Sequence, residues 1–288
     1  MRAMRATRTT HATRLARATL AALTLAAGAA APRPAGAQPA DTTRISTKPL
    51  FTARDAAAAT AFGVATAIIT PADRRAAARL QDPNTQANRL FRGAATVVTG
   101  IVQPGAVIIG TALYTVGRAT DNERMADLGL HGTEAMAVGV GVTFFIKGLA
   151  GRARPYATSD TNPRDFGFAR GFRHEAYRSF PSGHTVTAFA AAAAVTKETS
   201  RWWPNSAWYV GPVVYGGATL AGLSRMYNNK HWASDVIVGA AIGAFSGWKV
   251  VQYHHSHPNN RLDRWLLAGS VRGNGRGGAA VRWVVVPY

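Results

Sequence analysis

The sequence holds no cysteine among its 288 residues. Disulfides, thiolate metal centres and cysteine nucleophiles are therefore excluded. Acidic residues are scarce: 14 Asp and Glu stand against 33 Lys and Arg, a net charge of +19. No G-x-S-x-G serine elbow is present, and no glycine-rich loop ends in Gly-Lys-Ser/Thr, so serine hydrolases of that type and P-loop enzymes are set aside. No internal repeat is found. No helix-turn-helix or aromatic-studded basic strand accompanies the positive charge, so nucleic acid is not an expected partner. The charge suits phosphate esters or anionic lipid headgroups, or simply reflects a composition rich in Arg and Ala.

Hydrophobic residues make up 47 % and charged residues only 16 %, enough for a sizeable core. The first 37 residues carry six Arg, no Lys and no acid. A basic stretch ending at Arg17 precedes the apolar run Ala18–Ala31, and Ala35-Gly36-Ala37 stands before Gln38. That order is the layout of a cleaved secretory signal. The expectation is a signal peptide over 1–37, a polar linker over 38–50, a main domain over 51–255 and a tail over 256–288.

Apolar, small-residue runs occupy Ala56–Ile69, Ala94–Val116, Leu128–Ile146, Thr185–Val195, Trp208–Leu223 and Val236–Val251. Their lengths predict helices rather than strands. Pro104 and Pro212 fall inside runs and predict kinks or splits. Ala94–Val116 is long and uncharged enough to span a membrane. The mean hydropathy of −0.04 nevertheless favours a water-soluble or peripheral domain, exported to the periplasm or envelope, with an integral membrane protein as the alternative. In the tail, Leu266–Arg272 and Ala279–Val286 flank a Gly-rich turn and predict a β-hairpin.

Three polar clusters interrupt this pattern. Lys147 closes an apolar run, and Arg154-Pro155 follows after six residues. Pro181-Ser182-Gly183-His184 precedes an alanine-rich helix. Ser224-Arg225 is followed by His231 and then Asp235. An Arg fork holds two phosphate oxygens at once and Lys supplies a point charge, so Lys147, Arg154 and Arg225 converging would bind a tetrahedral oxyanion. Ser182 as N-cap and Gly183 open a helix N-terminus to an anion, with His184 in the first turn. His231 and Asp235, four residues apart, share a helical face; a carboxylate on one ring nitrogen leaves the other free to attack. Three cations with only Asp235 as a nearby acid also repel Mg²⁺.

Taken together the clusters read K-x6-RP, PSGH and SR-x5-H-x3-D, eleven specified positions in order. This pattern resembles the type 2 phosphatidic acid phosphatase superfamily, which includes bacterial acid phosphatases and vanadium haloperoxidases. The resemblance implies an all-α bundle, here of about six core helices, with the active site at helix ends. It implies metal-independent hydrolysis of phosphate monoesters or diphosphates, lipid or soluble, with no cofactor. His231 is then the nucleophile, Asp235 its orienter and His184 the general acid; Lys147, Arg154, Ser182, Gly183 and Arg225 hold the phosphoryl group. The alternatives are a haloperoxidase, with vanadate as cofactor rather than inhibitor, and a non-catalytic anion-binding envelope protein.

Other features are left as packing or solvent features. His254, His255 and His257 could bind a metal, but no acid lies near them in sequence, so a polar spacer is expected. His131 and Glu134 share a helical face and are expected to pack or cap. Trp202, Trp203 and Trp208 form either a membrane-surface anchor or core packing. Arg164, Arg170, Arg173, His174 and Arg178 form either a basic rim over the site or a solvated loop.

Overall fold

A computed structural model describes residues 50–157, 162–257, 269–273 and 279–283. The expected signal peptide and most of the linker lie outside the described residues. Nine α-helices are described: α1 (Ala53–Ile69), α2 (Asp73–Leu80), α3 (Pro83–Ala87), α4 (Arg89–Gly100), α5 (Ala106–Ala119), α6 (Glu123–Ala150), α7 (Gly183–Trp202), α8 (Ala207–Tyr227) and α9 (Ala233–Ser256). Each of the six apolar runs lies in one of these helices or, for Ala94–Val116, in two.

Breakers act where their chemistry demands. Gln103 leaves the helical region (φ −141°, ψ 118°) just before Pro104, splitting the run into α4 and α5. The Gln103 side-chain amide donates to Thr187 Oγ1 at 2.8 Å, tying the kink to α7. Pro212 stays within α8, near its start. The Asn122 side chain accepts the Met125 N–H at 3.1 Å and caps α6. Gly151 ends that helix in the left-handed region at φ 52°, where a Cβ would collide with the Gly167 carbonyl.

Helices α6, α7 and α9 form the centre, with α8 against α7, α5 against α6 and α1 against α9. Gly239, Gly243 and Gly247 line one face of α9, and a Cβ on any of them would strike the α7 side at Ser182, Val186 or Ala190. This small-residue stripe lets two helix backbones touch. The tail contributes two short antiparallel strands, β1 (Gly269–Gly273) and β2 (Ala279–Trp283), with Val271 opposite Val281.

The distribution of side chains reverses that of a water-soluble bundle. The buried apolar positions are mostly alanines, such as Ala126, Ala135, Ala190, Ala193, Ala194 and Ala221. Large apolar residues face outward: Val138, Val142, Phe144 and Phe145 on α6, Ile108 and Ile109 on α5, Val213 and Leu220 on α8. Large apolar side chains exposed in this number, over a core of alanines, suit contact with another apolar phase. Four helical stretches, Ala53–Leu80, Arg89–Ala119, Glu123–Ala157 and Ala233–Ser256, are long and apolar enough to cross a membrane. The expectation of a water-soluble domain is therefore corrected. Mean hydropathy misled because the polar ends and the charged N-terminus dilute it, while the pattern of exposure does not average out. Trp203 and Trp208 are exposed, which removes core packing as their role.

Candidate active site

All three polar clusters meet at one end of the central helices. The last turn of α6 carries Lys147, the first turn of α7 carries His184, the last turn of α8 carries Arg225, and the first turn of α9 carries Asp235. The 178–181 loop and the 228–232 connection bring Ser182 and His231 between them.

Asp235 is the hub. Its Oδ1 accepts from Arg152 Nη1 at 2.5 Å, and its Oδ2 accepts from Ser179 Oγ at 2.5 Å and from the Trp232 N–H at 2.9 Å. Its backbone carbonyl accepts the Ser182 N–H at 3.0 Å, pinning the start of α7 to the start of α9. His231 Nδ1 lies 3.5 Å from Asp235 Oδ2, an electrostatic contact longer than an ordinary hydrogen bond. Burial, aided by Lys147 and Arg154 and opposed by Asp235, pushes His231 down to about 3. The ring is thus neutral at physiological pH, the state a nucleophile requires.

Ser182 is the N-cap of α7 and fully buried, but its side chain makes no capping bond; its Oγ accepts instead from Thr185 Oγ1 at 2.8 Å. The first N–H groups of the helix are therefore not closed off by their own cap. Gly183 lies beside Lys147, whose Cε would be 3.7 Å from a Cβ there. Lys147 Nζ donates to the carbonyls of Arg178, Ser179 and Pro181. Its three N–H bonds thus shape the loop before α7 while its charge stays at the site.

Arg154 and Arg225 are both buried, and the Nε of each has no partner among the described residues. Among the described residues the guanidinium of Arg154 reaches Glu175, at 3.5 Å, and lies over the Tyr156 ring. Burial and the neighbouring Arg154 push Arg225 below its ordinary value. His184 is pushed down to about 4 by burial and by the charges of Arg225, Lys147 and Arg154. Two buried, under-bonded guanidinium groups beside an open helix N-terminus can hold a phosphoryl group.

Two residues of this end carry no mark in the sequence. Arg152 is buried between the rings of Phe166 and Trp232 and directs five hydrogen bonds. They run to the Pro163 carbonyl, twice, to Ser234 Oγ, to Asp235 Oδ1 and to Asp73 Oδ2. Asp73 also accepts from the Ser234 N–H and hydroxyl at 2.8 and 2.6 Å. A buried Asp73–Arg152–Asp235 chain thus fixes the carboxylate beside His231. Arg152 occupies an unspecified position of K-x6-RP, and Asp73 precedes Asp235 by 162 residues, so neither has a local signal. In the basic loop, Arg170 binds Asp165 at 2.6 Å and stacks on Tyr177, which makes it a brace of the loop.

Residues 130–258 match the family model described as the PAP2 superfamily. A lipid A 1-phosphatase of Porphyromonas gingivalis is 47 % identical over 72 residues, 25 % of this chain and 15 % of that one. An undecaprenyl-diphosphatase of Sulfolobus acidocaldarius is 29 % identical over 90 residues, 31 % and 40 % of the two chains. A lipid A 1-phosphatase of Rhizobium johnstonii is 37 % identical over 102 residues, 35 % and 37 %. The chain thus spans well under half the length of these curated relatives. Among solved structures, a transmembrane PAP2 type phosphatidylglycerolphosphate phosphatase from Bacillus subtilis shares the fold, with a TM-score of 0.50 and 19 % identity over 73 % of this chain and 99 % of that one. All three polar clusters, from Lys147 to Asp235, fall within the residues 130–258 that match the PAP2 superfamily model.

Proposed function

We propose that the chain is an integral membrane phosphatase that removes phosphate from a phosphorylated lipid by way of His231. The observation that carries the reading is the pair of buried guanidinium groups, Arg154 and Arg225, whose Nε atoms have no partner among the described residues, beside the first turn of α7. The outward-facing apolar side chains and the four helices able to cross a membrane favour a substrate that is itself in the membrane. The relatives named for lipid A and undecaprenyl diphosphate support the same substrate class.

The chemistry follows from the positions of the groups. Neutral His231, its Nδ1 side toward Asp235, presents Nε2 to phosphorus. The P–N bond forms as the bond from phosphorus to the leaving oxygen breaks, and His184 gives that oxygen a proton. Neutral His184 then takes a proton from water, whose oxygen attacks phosphorus and breaks the P–N bond, releasing inorganic phosphate. Arg154, Arg225 and the first N–H groups of α7 hold the charge that spreads over the phosphoryl oxygens. Arrival of a phosphate dianion reverses the local charge and raises the proton affinity of His184, so the acid is armed by the substrate it serves.

Purified full-length chain in detergent micelles, assayed in EDTA, tests this. Phosphate should be released from a lipid phosphate or a polyprenyl diphosphate, and orthovanadate should inhibit as a pentacoordinate mimic. Activity confined to soluble esters would remove the lipid assignment. Loss in EDTA with restoration by a divalent metal, in a chain that EDTA leaves folded, would remove the mechanism.

A further inference from the structure

The opposite end of the same three central helices holds a second buried polar cluster. His131 on α6 places Nδ1 2.6 Å from Glu198 Oε1 on α7. His255 on α9 places Nε2 3.0 Å from each oxygen of Glu198. One donor atom from each of the three residues lies within 4.8 Å of the others. Glu198 is fully buried and His131 is 2 % exposed, while the His255 side chain is 21 % exposed. Around this core, His254 stacks on His131 with ring centroids 4.2 Å apart and reaches Glu134 at 2.6 Å. Asp127, one turn before His131, lies within electrostatic reach of all three residues.

Gathering these groups runs against the composition. The chain has only 14 acids and 8 histidines at a net charge of +19, yet three of each assemble here. Among the described residues the ion-pair partners of Glu134 and Glu198 are histidines, not Lys or Arg. His131 Nε2, the ring nitrogen not turned to Glu198, is buried with no partner among the described residues. Two histidines and a carboxylate are a ligand set for zinc. Bond lengths of about 2.0–2.1 Å place tetrahedral ligand atoms about 3.3 Å apart; here Glu198 lies 2.6 and 3.0 Å from the two rings and all three ligand atoms lie within 4.8 Å of one another.

We propose that His131, Glu198 and His255 bind a divalent first-row metal ion, of which zinc is the fitting member, with Asp127 and Glu134 as outer carboxylates. The ion would clamp α6, α7 and α9 at the end remote from the phosphate site. Along α7 the two sites are separated by the 14 residues from His184 to Glu198, about 21 Å at 1.5 Å per residue. Such a metal is structural and takes no part in hydrolysis.

Full-length chain in detergent, stripped with EDTA and desalted, should take up about one Zn²⁺ per chain, with a rise in unfolding temperature. Co²⁺ in the same site should give the intense visible absorption of tetrahedral coordination. Glu198→Gln and His255→Ala should each weaken Zn²⁺ binding at least about 100-fold. His184→Ala and His231→Ala should leave it intact, which separates this site from the phosphate site. His255→Ala, at the partly exposed ligand, decides the matter if Glu198→Gln fails to fold. Absence of stoichiometric uptake by the unsubstituted chain, or uptake undiminished in His255→Ala, overturns the proposal.

Discussion

The two ends of α6, α7 and α9 are chemical opposites built on the same helices. One end gathers Lys147, Arg152, Arg154 and Arg225 around His184 and His231, with Asp235 and Asp73 as the buried counter-charges. The other gathers Glu134, Glu198 and Asp127 around His131, His254 and His255. Histidine is common to both, and its neighbours set its use. Among buried cations, the imidazoles of His184 and His231 are held neutral by burial and by those charges, at the N-terminus of α7. Among carboxylates, imidazole is a donor to an oxygen or a ligand to a cation. Identical side chains thus acquire opposite partners from the sign of the charge that surrounds them.

The largest effect that would sharpen this contrast is at the nucleophile. His231→Ala should lower turnover by about 10⁴-fold or more, as removal of a covalent nucleophile does elsewhere. Acid-quench trapping with labelled substrate should show phosphate on the unsubstituted chain and none on the variant. Label persisting on His231→Ala would move the covalent step to another residue.

Next in size is the hidden brace of the basic end. Removing one member of a buried ion-pair chain costs about 3–5 kcal/mol, because the remaining charges are left unpaired. Arg152→Leu should lose that much stability by denaturant unfolding in detergent. Arg152→Lys keeps the charge but not the fork, so it should stay folded and lose turnover through kcat rather than KM. A variant with both parameters unchanged would show that the Asp73–Arg152–Asp235 chain does not position His231.

A third test uses pH. The proposed mechanism needs His231 neutral and His184 protonated. His231, at about 3, stays neutral through the accessible range. His184 in the free enzyme is pushed down to about 4, so kcat/KM for an alkyl phosphate should fall as pH rises above that value. Bound phosphate raises His184, so the corresponding limb of kcat should lie at higher pH. With p-nitrophenyl phosphate, whose leaving group needs no proton, the limb should be absent. Coincident limbs, identical for both substrates, would remove His184 as the donor.

The smallest effect concerns the acidic end. His255→Ala should change kcat/KM on a lipid phosphate by less than about twofold at a temperature where the protein is folded, since the helix between the two ends is rigid over about 20 Å. A large loss in the folded variant would mean that the two ends are energetically linked.

Much of this protein was legible in its amino-acid order. Long apolar runs between prolines announced the helices, and Pro104 marked the split between α4 and α5. The three polar clusters were legible because each is local: His231 and Asp235 are four residues apart, and Ser182, Gly183 and His184 are consecutive. The short strands of the tail followed from β-branched runs around glycines. What the sequence could not determine depends on partners far along the chain. The outward direction of Phe144, Phe145 and Ile108 appears only once the helices are packed, and it reversed the expectation of a soluble domain. The pairing of Asp73 with Arg152 and the meeting of His131, Glu198 and His255 span separations of 57 to 124 residues. No periodicity within one helix encodes such meetings. They are decided by which helix faces turn inward, and the Gly239–Gly243–Gly247 stripe, by letting α9 touch α7 along its length, decides that at both ends together.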